Sequence, residues 1–246
     1  TTYSNFEIHV IDNSKDSRIQ ECTAGISNRP GRVCYIDCRD KPFNYSVLNN
    51  LAVRRADAPH ILFLNDDITV ATPEWLTAMV EHGQRPSVGA VGAKLLYPSG
   101  SIQHAGVVMG PFENAGHALR HLPADSGQQF DFAQVIRNCS AVTAACLLTK
   151  RSLFLELNGF EEETLPIAFQ DVDYCLRVCR AGYSVVYTPH ATLVHYESTT
   201  KSDVEKVPEN REVRYMQETW KEIIAHDPYY NPNLTRKGED CGIRVD

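Results

Sequence analysis

Strand-like runs that alternate with helical patterns over the first 96 residues constrain the fold of this chain most. The apolar runs cover residues 6–11, 33–37, 61–64 and 88–96. Residues 44–56 carry apolar side chains at helical spacing, and Thr72-Pro73 supplies a capping residue and a first helical residue for another helix. This alternation predicts βαβ units, and therefore an α/β fold with a mostly parallel, Rossmann-like central sheet.

The pattern is less regular after residue 96. Strand-like segments occur at 101–109, 137–148, 184–187 and 192–196, and helical segments at 151–157, 170–181 and 204–225. A chain of 246 residues can bury the core of one large domain. We expect residues 1–200 to form this domain, and residues 201–246 to form a C-terminal helix and tail that pack on it.

Two of the early strands end in acidic or amide residues, at Asp12 and at Asn65-Asp66-Asp67. Ligands of parallel sheets bind at the carboxyl ends of the strands, so both groups are expected to border one crevice. The adjacent pair Asp66 and Asp67 allows two interpretations. It is either a turn that caps the next helix, or a site for a hard divalent cation, which relieves the repulsion between the two carboxylates.

One histidine and one helical carboxylate are further candidates. His195 ends the 192–196 strand, where a hydrogen-bonded structural role is the more common one. If this strand neighbours the 61–64 strand, the imidazole joins a carboxylate and favours Mn²⁺ over Ca²⁺. Asp171 and Asp173 begin the 170–181 helix, where the helix dipole alone favours acids. Because they are two residues apart, at most one of them points into a site as a general base.

Composition and motif content exclude several classes of protein. The formal net charge of −7 leaves no basic surface for nucleic acid, or for electrostatic binding to an anionic membrane. The longest apolar run, residues 141–148, is far shorter than the roughly 18–20 residues that span a bilayer. No GxGxxG follows a strand, which disfavours a nicotinamide-dependent oxidoreductase. The spacing of the eight cysteines lacks a structural zinc pattern, and we expect reduced thiols.

Several motifs, in this order, resemble those of the family 2 glycosyltransferases, which have the GT-A fold. IHVIDNSKDS is similar to the second strand of the family and its turn, and LFLNDDITV to its DxD-type metal motif. VTAACLLTKRSLFLELNGFEE resembles the acceptor-side segment, FQDVDYCLRVCRAGYSVVYTP the helix with the catalytic acid pair, and LVHYES the strand with a metal-binding histidine. PFNYSVLNN, SIQHAGVVMG and DPYYNPNLT are similar to the bacterial branch that builds rhamnose-containing surface polysaccharides.

This resemblance implies a role for each candidate residue. Asp67 and His195 bind Mn²⁺ or Mg²⁺, and Asp171 is the general base of an inverting transfer. Asn65 and Asp66 lie beside the ribose and diphosphate of the donor, and Asp12 binds its base or ribose. His104 and His117 are candidates for the acceptor side, which is expected to be a smaller antiparallel part of the fold.

The resemblance also implies the partners and the location of the protein. The donor is a UDP- or dTDP-linked sugar, and the acceptor is a glycan or lipid-linked saccharide. The enzyme works in polysaccharide biosynthesis, is cytoplasmic, and can associate with the inner face of the cell membrane. Other domains of a longer chain are expected beside it.

The sequence departs from the family pattern in three places. Asn65 stands at the first position of DxD, and Gln170 replaces the glutamate of the acid pair. The family's first strand has no counterpart, because the sequence begins just before the second strand, and a sheet without it would have an unpaired edge. Two rival functions therefore stay open: a non-catalytic nucleotide- or carbohydrate-binding module with the same fold, and a metal-dependent hydrolase that uses Asp66, Asp67 and His195.

Overall fold

A computed structural model describes residues 1–26, 32–125, 131–197 and 210–244, and confirms the α/β class. Seven α-helices occur among these residues: α1 (Arg18–Ile26), α2 (Tyr45–Arg55), α3 (Trp75–Gly83), α4 (Arg151–Glu156), α5 (Gln170–Arg180), α6 (Asn210–Thr219) and α7 (Lys221–Ala225). A short 3-10 helix covers Pro111–Glu113. The strands are β1 (Glu7–Asp12), β2 (Arg32–Asp37), β3 (His60–Leu64), β4 (Ile68–Val70), β5 (Val88–Leu96), β6 (Ile102–His104), β7 (Val107–Met109), β8 (Ala115–His117), β9 (Arg137–Asn138), β10 (Cys146–Lys150) and β11 (Ser184–His195).

The central sheet is mixed, and the prediction of a mostly parallel sheet is wrong in this respect. Its main strand order is β3-β10-β5-β11-β4, and β5 and β11 pair in parallel while the other pairs described in this sheet are antiparallel. The alternation of strands and helices over the first 96 residues predicts a common direction for β3 and β5, which they have, and β11 runs in the same direction. It does not show that β10, which is reached through a loop, enters between β3 and β5 in the opposite direction.

A separate two-stranded parallel sheet consists of β1 and β2. Helix α2 contacts both sheets, because Leu48 and Ala52 pack with Ile36 of β2, whereas Val53 belongs to the core cluster that contains Phe63 of β3. A two-stranded sheet is marginally stable by itself, so this helix contributes much of its anchoring. In the described part of the chain, β1 pairs only with β2, and β3 only with β10.

The strands predicted at 184–187 and 192–196 are one strand, β11, with an irregular register between Thr188 and Thr192. β11 lies between β5 and β4 and carries His195 at its end. A small antiparallel pair, β7 and β8, forms beside the main sheet. The family resemblance implied a smaller antiparallel part of this kind.

The described C-terminal residues, 210–244, contact helix α5. The helix predicted over 204–225 lies partly outside the described residues, and its described part is divided at Trp220 into α6 and α7. The Trp220 indole donates to Asp173 of α5 at 2.9 Å, and Met216 is fully buried. Among the described residues, no helix has the length and apolar character needed to cross a membrane.

Candidate active site

The acidic turn between β3 and β4 is fixed by hydrogen bonds to its neighbours. The Asn65 amide donates to the Ala145 carbonyl oxygen at 3.0 Å, which extends the β3–β10 ladder by one residue. The Asp67 carbonyl oxygen accepts from the Tyr196 amide at 3.0 Å. Asp66 is exposed and Asp67 is partly buried, so the two adjacent carboxylates have different surroundings.

His195 lies directly beside this turn. Its Nε2 atom is 2.9 Å from Oδ1 of Asp67 and 3.4 Å from Nδ2 of Asn65. The contact comes from pairing of β11 with β4, in which His195 is opposite Ile68. The strand that carries His195 is not a neighbour of the 61–64 strand, because β5 and β10 lie between β11 and β3. The short strand after the turn carries the carboxylate to the histidine instead.

The Asp67 and His195 side chains fit a divalent cation. Two ligand atoms in adjacent positions of an octahedron, each about 2.0–2.1 Å from the ion, are about 3.0 Å apart. The observed separation of 2.9 Å between the imidazole nitrogen and the carboxylate oxygen agrees with this geometry. A carboxylate with an imidazole suits Mn²⁺ or a similar ion, and carboxylate oxygens also suit Mg²⁺.

Asp171 occupies the first turn of α5 and is held by backbone donors. Its Oδ2 accepts from the Ala144 amide and its Oδ1 from the Val172 amide, both at 2.8 Å. Burial raises the pKa of Asp171 above its ordinary value, although these hydrogen bonds and one from Thr143 act in the opposite direction. A positioned carboxylate with a raised pKa suits general-base chemistry.

Asp173 points elsewhere, as the spacing of the two acids required. It is buried, its Oδ2 atom lies 2.8 Å from the Arg177 guanidinium, and its Oδ1 accepts from the Trp220 indole. Asp173 is therefore a structural residue that joins α5 to the C-terminal segment.

One cavity of about 370 Å³ brings several of the candidates together. Its polar lining includes Asn65, Gln103, His117, Arg120, Asp171 and His195. The half-exposed side chains of Phe43 and Ile167 form part of its apolar wall. The cavity therefore has the Asp171 carboxylate on α5, the His195 imidazole at the end of β11, and apolar surface beside them. Such a mixture is typical of sites for small polar ligands.

Buried His104 and partly buried His117 form a hydrogen-bonded pair whose proton positions can be deduced. The Thr143 amide donates to Nε2 of His104 at 3.5 Å, so His104 carries its proton on Nδ1. The two Nδ1 atoms are 2.8 Å apart, so His104 donates to His117, which then carries its own proton on Nε2. Burial lowers the pKa of both rings, that of His117 to about 4. His117 is thus a neutral hydrogen-bond donor on the cavity wall near pH 7.

Asp12 lies in the smaller sheet and is bound locally. Its Oδ1 accepts from the Ser14 amide at 2.9 Å and its Oδ2 from the Tyr35 hydroxyl at 2.6 Å. Burial alone would raise the pKa of Asp12, but these hydrogen bonds outweigh it and lower the pKa. Asp12, Asp66 and Asp67 are not among the described residues that line the cavity, although Asp67 contacts His195, which does line it.

Sequence reasoning missed three polar residues of the cavity wall. Gln103, Arg120 and Glu197 line it, and Arg120 joins Glu197 and Glu239 through ion pairs of 3.3 and 3.4 Å. Gln103 belongs to the segment SIQHAGVVMG, whose family resemblance implies no role for Gln103 itself. The sequence feature that could have indicated Gln103 is its position as a polar residue within the strand-like segment 101–109.

Comparison with known sequences gives a consistent set of relatives. The family described as Glycosyl transferase family 2 matches residues 1–154, a range that includes the acidic turn but neither Asp171 nor His195. An uncharacterised protein of Sinorhizobium fredii, y4gI, is 45% identical over 98% of this chain. The O-antigen biosynthesis protein RfbC of Myxococcus xanthus is 36% identical over 99% of it, and the O-antigen chain rhamnosyltransferase RfbN of Salmonella typhimurium is 26% identical over 75%.

The chain spans only part of these relatives. It covers 27% of the Sinorhizobium protein, 19% of the Myxococcus protein and 56% of the Salmonella protein.

Comparison with solved structures identifies the fold. The chain is similar to GalNAc-T7, solved with UDP, GalNAc and Mn²⁺, with a TM-score of 0.61, 12% identity, and coverage of 77% of this chain and 37% of that one. It is also similar to the mannosyltransferase PcManGT of Pyrobaculum calidifontis, solved with GDP-Man and Mn²⁺, with a TM-score of 0.54, 15% identity, and coverage of 79% and 48%. The GT-A fold expected from the sequence is confirmed.

Proposed function

Because this chain belongs to glycosyl transferase family 2, we propose that it is the catalytic domain of a metal-dependent, inverting glycosyltransferase. The proposed donor is a UDP- or dTDP-linked sugar, and the proposed acceptor is a hydroxyl group of a glycan or lipid-linked saccharide. The observation that carries the proposal is the convergence of Asp171 and His195 on one cavity, with Asp67 2.9 Å from the His195 ring.

Each side chain has a defined part in the proposed reaction. Asp171 accepts the proton of the acceptor hydroxyl, while the hydroxyl oxygen bonds to the anomeric carbon from the face opposite the nucleotide. The bond from that carbon to the diphosphate oxygen breaks, and its electron pair leaves with the nucleoside diphosphate. A divalent ion, when held by Asp67 and His195, supplies positive charge that stabilises this leaving group.

The other candidate residues are proposed to bind the donor. Asn65 and Asp66, on the turn beside Asp67, lie next to the ribose and diphosphate. Asp12 binds the base or ribose from the end of β1, where its lowered pKa keeps it ionised at neutral pH. Mn²⁺ is the proposed ion, with Mg²⁺ as an alternative, and two solved structures of similar fold contain Mn²⁺.

The proposed domain organisation has residues 1–200 as the transferase domain and residues 201–246 as a tail packed on it. The relatives that are longer than this chain support a place within a larger protein. A role in the synthesis of a bacterial surface polysaccharide is proposed from the names of two relatives, an O-antigen biosynthesis protein and an O-antigen chain rhamnosyltransferase. The proposed place of this reaction, the cytoplasm at the inner face of the cell membrane, comes from the family resemblance alone.

A screen of nucleotide sugars tests this function. The protein is incubated with UDP- and dTDP-linked sugars, with Mn²⁺ or with EDTA, and release of nucleoside diphosphate is measured. We expect one donor to release nucleoside diphosphate, and only when Mn²⁺ is present. In Asp67→Asn this release should be much slower. The exposed Asp66→Asn is a matched comparison that separates metal binding from donor contacts.

The outcomes separate the rival functions. Donor binding without release of nucleoside diphosphate would indicate a binding module. Cleavage of a substrate that carries no nucleotide would indicate a hydrolase.

A further inference from the structure

Gln103 holds the ring of His195 from the side opposite Asp67. It lies in β6, is only 5% exposed, and its Oε1 atom is 2.6 Å from Nδ1 of His195. Its Nε2 atom lies 3.4 Å from both the His195 carbonyl oxygen and Oε2 of Glu197. Both ends of one buried amide therefore contact the end of β11 that carries the histidine.

The surroundings of Gln103 fix the orientation of its amide. Its NH₂ group faces two acceptors, the His195 carbonyl oxygen and the Glu197 carboxylate, so rotation of the amide would place its oxygen against both. Glu197 is itself kept in place by Arg120 at 3.3 Å. The Gln103 oxygen is therefore the atom that faces the imidazole.

This orientation decides which nitrogen of His195 carries the proton. A carbonyl oxygen only accepts, so Nδ1 of His195 must be the donor across the 2.6 Å contact. In the neutral ring the lone pair then lies on Nε2, the atom that faces Asp67 at 2.9 Å. A nitrogen lone pair beside a carboxylate oxygen is the arrangement that a shared cation needs.

We propose that Gln103 is a positioning residue that sets the tautomer and ring orientation of His195, and thereby the affinity of the Asp67 and His195 pair for a divalent cation. This inference rests on the proposed function. It gives the segment SIQHAGVVMG a physical role. Strand β6 pairs with β5, and Gln103 of β6 contacts Nδ1 of His195, the ring nitrogen that does not face Asp67. Partners of this kind orient metal-binding histidines in many proteins, and their loss weakens metal binding about 10–100-fold.

A neutral amide also suits the charge of the site. Glu197 is already within 3.4 Å, so a carboxylate at position 103 would repel it. Glutamine provides the acceptor that His195 requires and a donor that satisfies Glu197.

Two measurements on Gln103→Leu test the proposal. Long-range ¹H–¹⁵N NMR of the His195 ring in the metal-free protein reports the tautomer and needs neither metal nor substrate. Electron paramagnetic resonance reports the dissociation constant for Mn²⁺, with UDP and separately with dTDP present. We expect His195 to be the Nδ1–H tautomer in the wild type and a mixture of both tautomers in Gln103→Leu. The variant should bind Mn²⁺ about 10–100-fold more weakly than the wild type.

Two further variants serve as control and rescue. Gln84→Leu, at an exposed position at the end of α3, should leave the tautomer and the Mn²⁺ affinity unchanged. The double variant Gln103→Glu/Glu197→Gln restores an acceptor for Nδ1 and exchanges the amide and carboxylate. It should recover the tautomer and most of the Mn²⁺ affinity, even if Gln103→Leu folds poorly.

The possible failures are distinguishable. If the wild type binds Mn²⁺ and Gln103→Leu binds it equally well with the same tautomer, the role of Gln103 is refuted and the proposed function stands. If the wild type binds no Mn²⁺ with either nucleotide, the proposed metal-dependent function and this inference both fail.

Discussion

The hydrogen-bonded pair of His104 and His117 should make the stability of this protein depend on pH below neutrality. Burial, reinforced by the charge of Arg120, lowers the pKa of His117 from an ordinary 6.5 to about 4. The folded state therefore favours the neutral ring, whereas the unfolded chain binds a proton near pH 6.5. The stabilising effect is complete above pH 6.5 and is lost progressively as the pH falls towards 4, where the folded state is protonated as well.

The size of this effect follows from the pKa difference. At about 1.4 kcal/mol per pKa unit, the shift of His117 from 6.5 to about 4 corresponds to at most about 3.5 kcal/mol of unfolding free energy, of which about 3 kcal/mol is lost by pH 4. This is a large share of the roughly 5–15 kcal/mol that stabilises a typical domain. His104, whose pKa is lowered in the same direction, adds to the loss.

Urea unfolding of the wild type and of His117→Gln between pH 7.5 and 4 measures this effect. The glutamine cannot titrate, so the variant should lose up to about 3 kcal/mol less than the wild type over this range. The exposed His190→Gln is the control and should follow the wild type. Equal losses in the wild type and in His117→Gln would refute the assignment of a neutral His117 in the folded state.

Three further predictions concern Asp171, Asp173 and Gly92. Because burial raises the pKa of Asp171, the rate of sugar transfer should fall with acid at a pH above the ordinary aspartate value of about 3.9; a pH–rate profile with its acid limb at or below that value would contradict this. Asp173→Asn leaves the Arg177 charge without its carboxylate and should lower the unfolding free energy by about 3 kcal/mol in urea titrations, whereas a loss within about 0.5 kcal/mol would show that the pair is not a buried network. Gly92→Ala, in the packed centre of β5, would place a Cβ atom 2.4 Å from Cβ of Val142 and should lower the unfolding free energy by about 1–3 kcal/mol. A thermal melt unchanged from the wild type would mean that this contact relaxes freely.

The sequence was most informative where a local pattern carries the signal. The acids at the start of α5 could be recognised from helix spacing, and the rule that two residues two apart face different ways separated Asp171 from Asp173. The end of β3 could be recognised as a place for exposed acids, because an apolar run stops there. These features depend on residues that are close in sequence.

Features that depend on long-range pairing could not be predicted from the sequence. Asp67 meets His195 because β4 pairs with β11, a contact between segments more than 120 residues apart. The direction of β10, which makes the sheet mixed, is likewise set by its two neighbours rather than by its own sequence. Gln103 was missed because a polar residue in a strand-like segment does not show what it faces.

Asp12 illustrates the opposite difficulty. It ends a strand, as a ligand-binding acid does in this class of fold, but Ser14 and Tyr35 already bind both of its carboxylate oxygens. Its proposed contact with the donor therefore requires a rearrangement of these hydrogen bonds or a contact shared with them.

The turnover of Asp171→Asn, measured together with its affinity for the donor, tests the central claim most directly. With the donor identified by the screen, we predict that nucleoside diphosphate release in the presence of acceptor falls about 10²–10⁴-fold, because the general base is lost. The dissociation constant for the donor should stay unchanged, and the exposed Glu163→Gln should behave as the wild type. Wild-type turnover in Asp171→Asn would contradict the account.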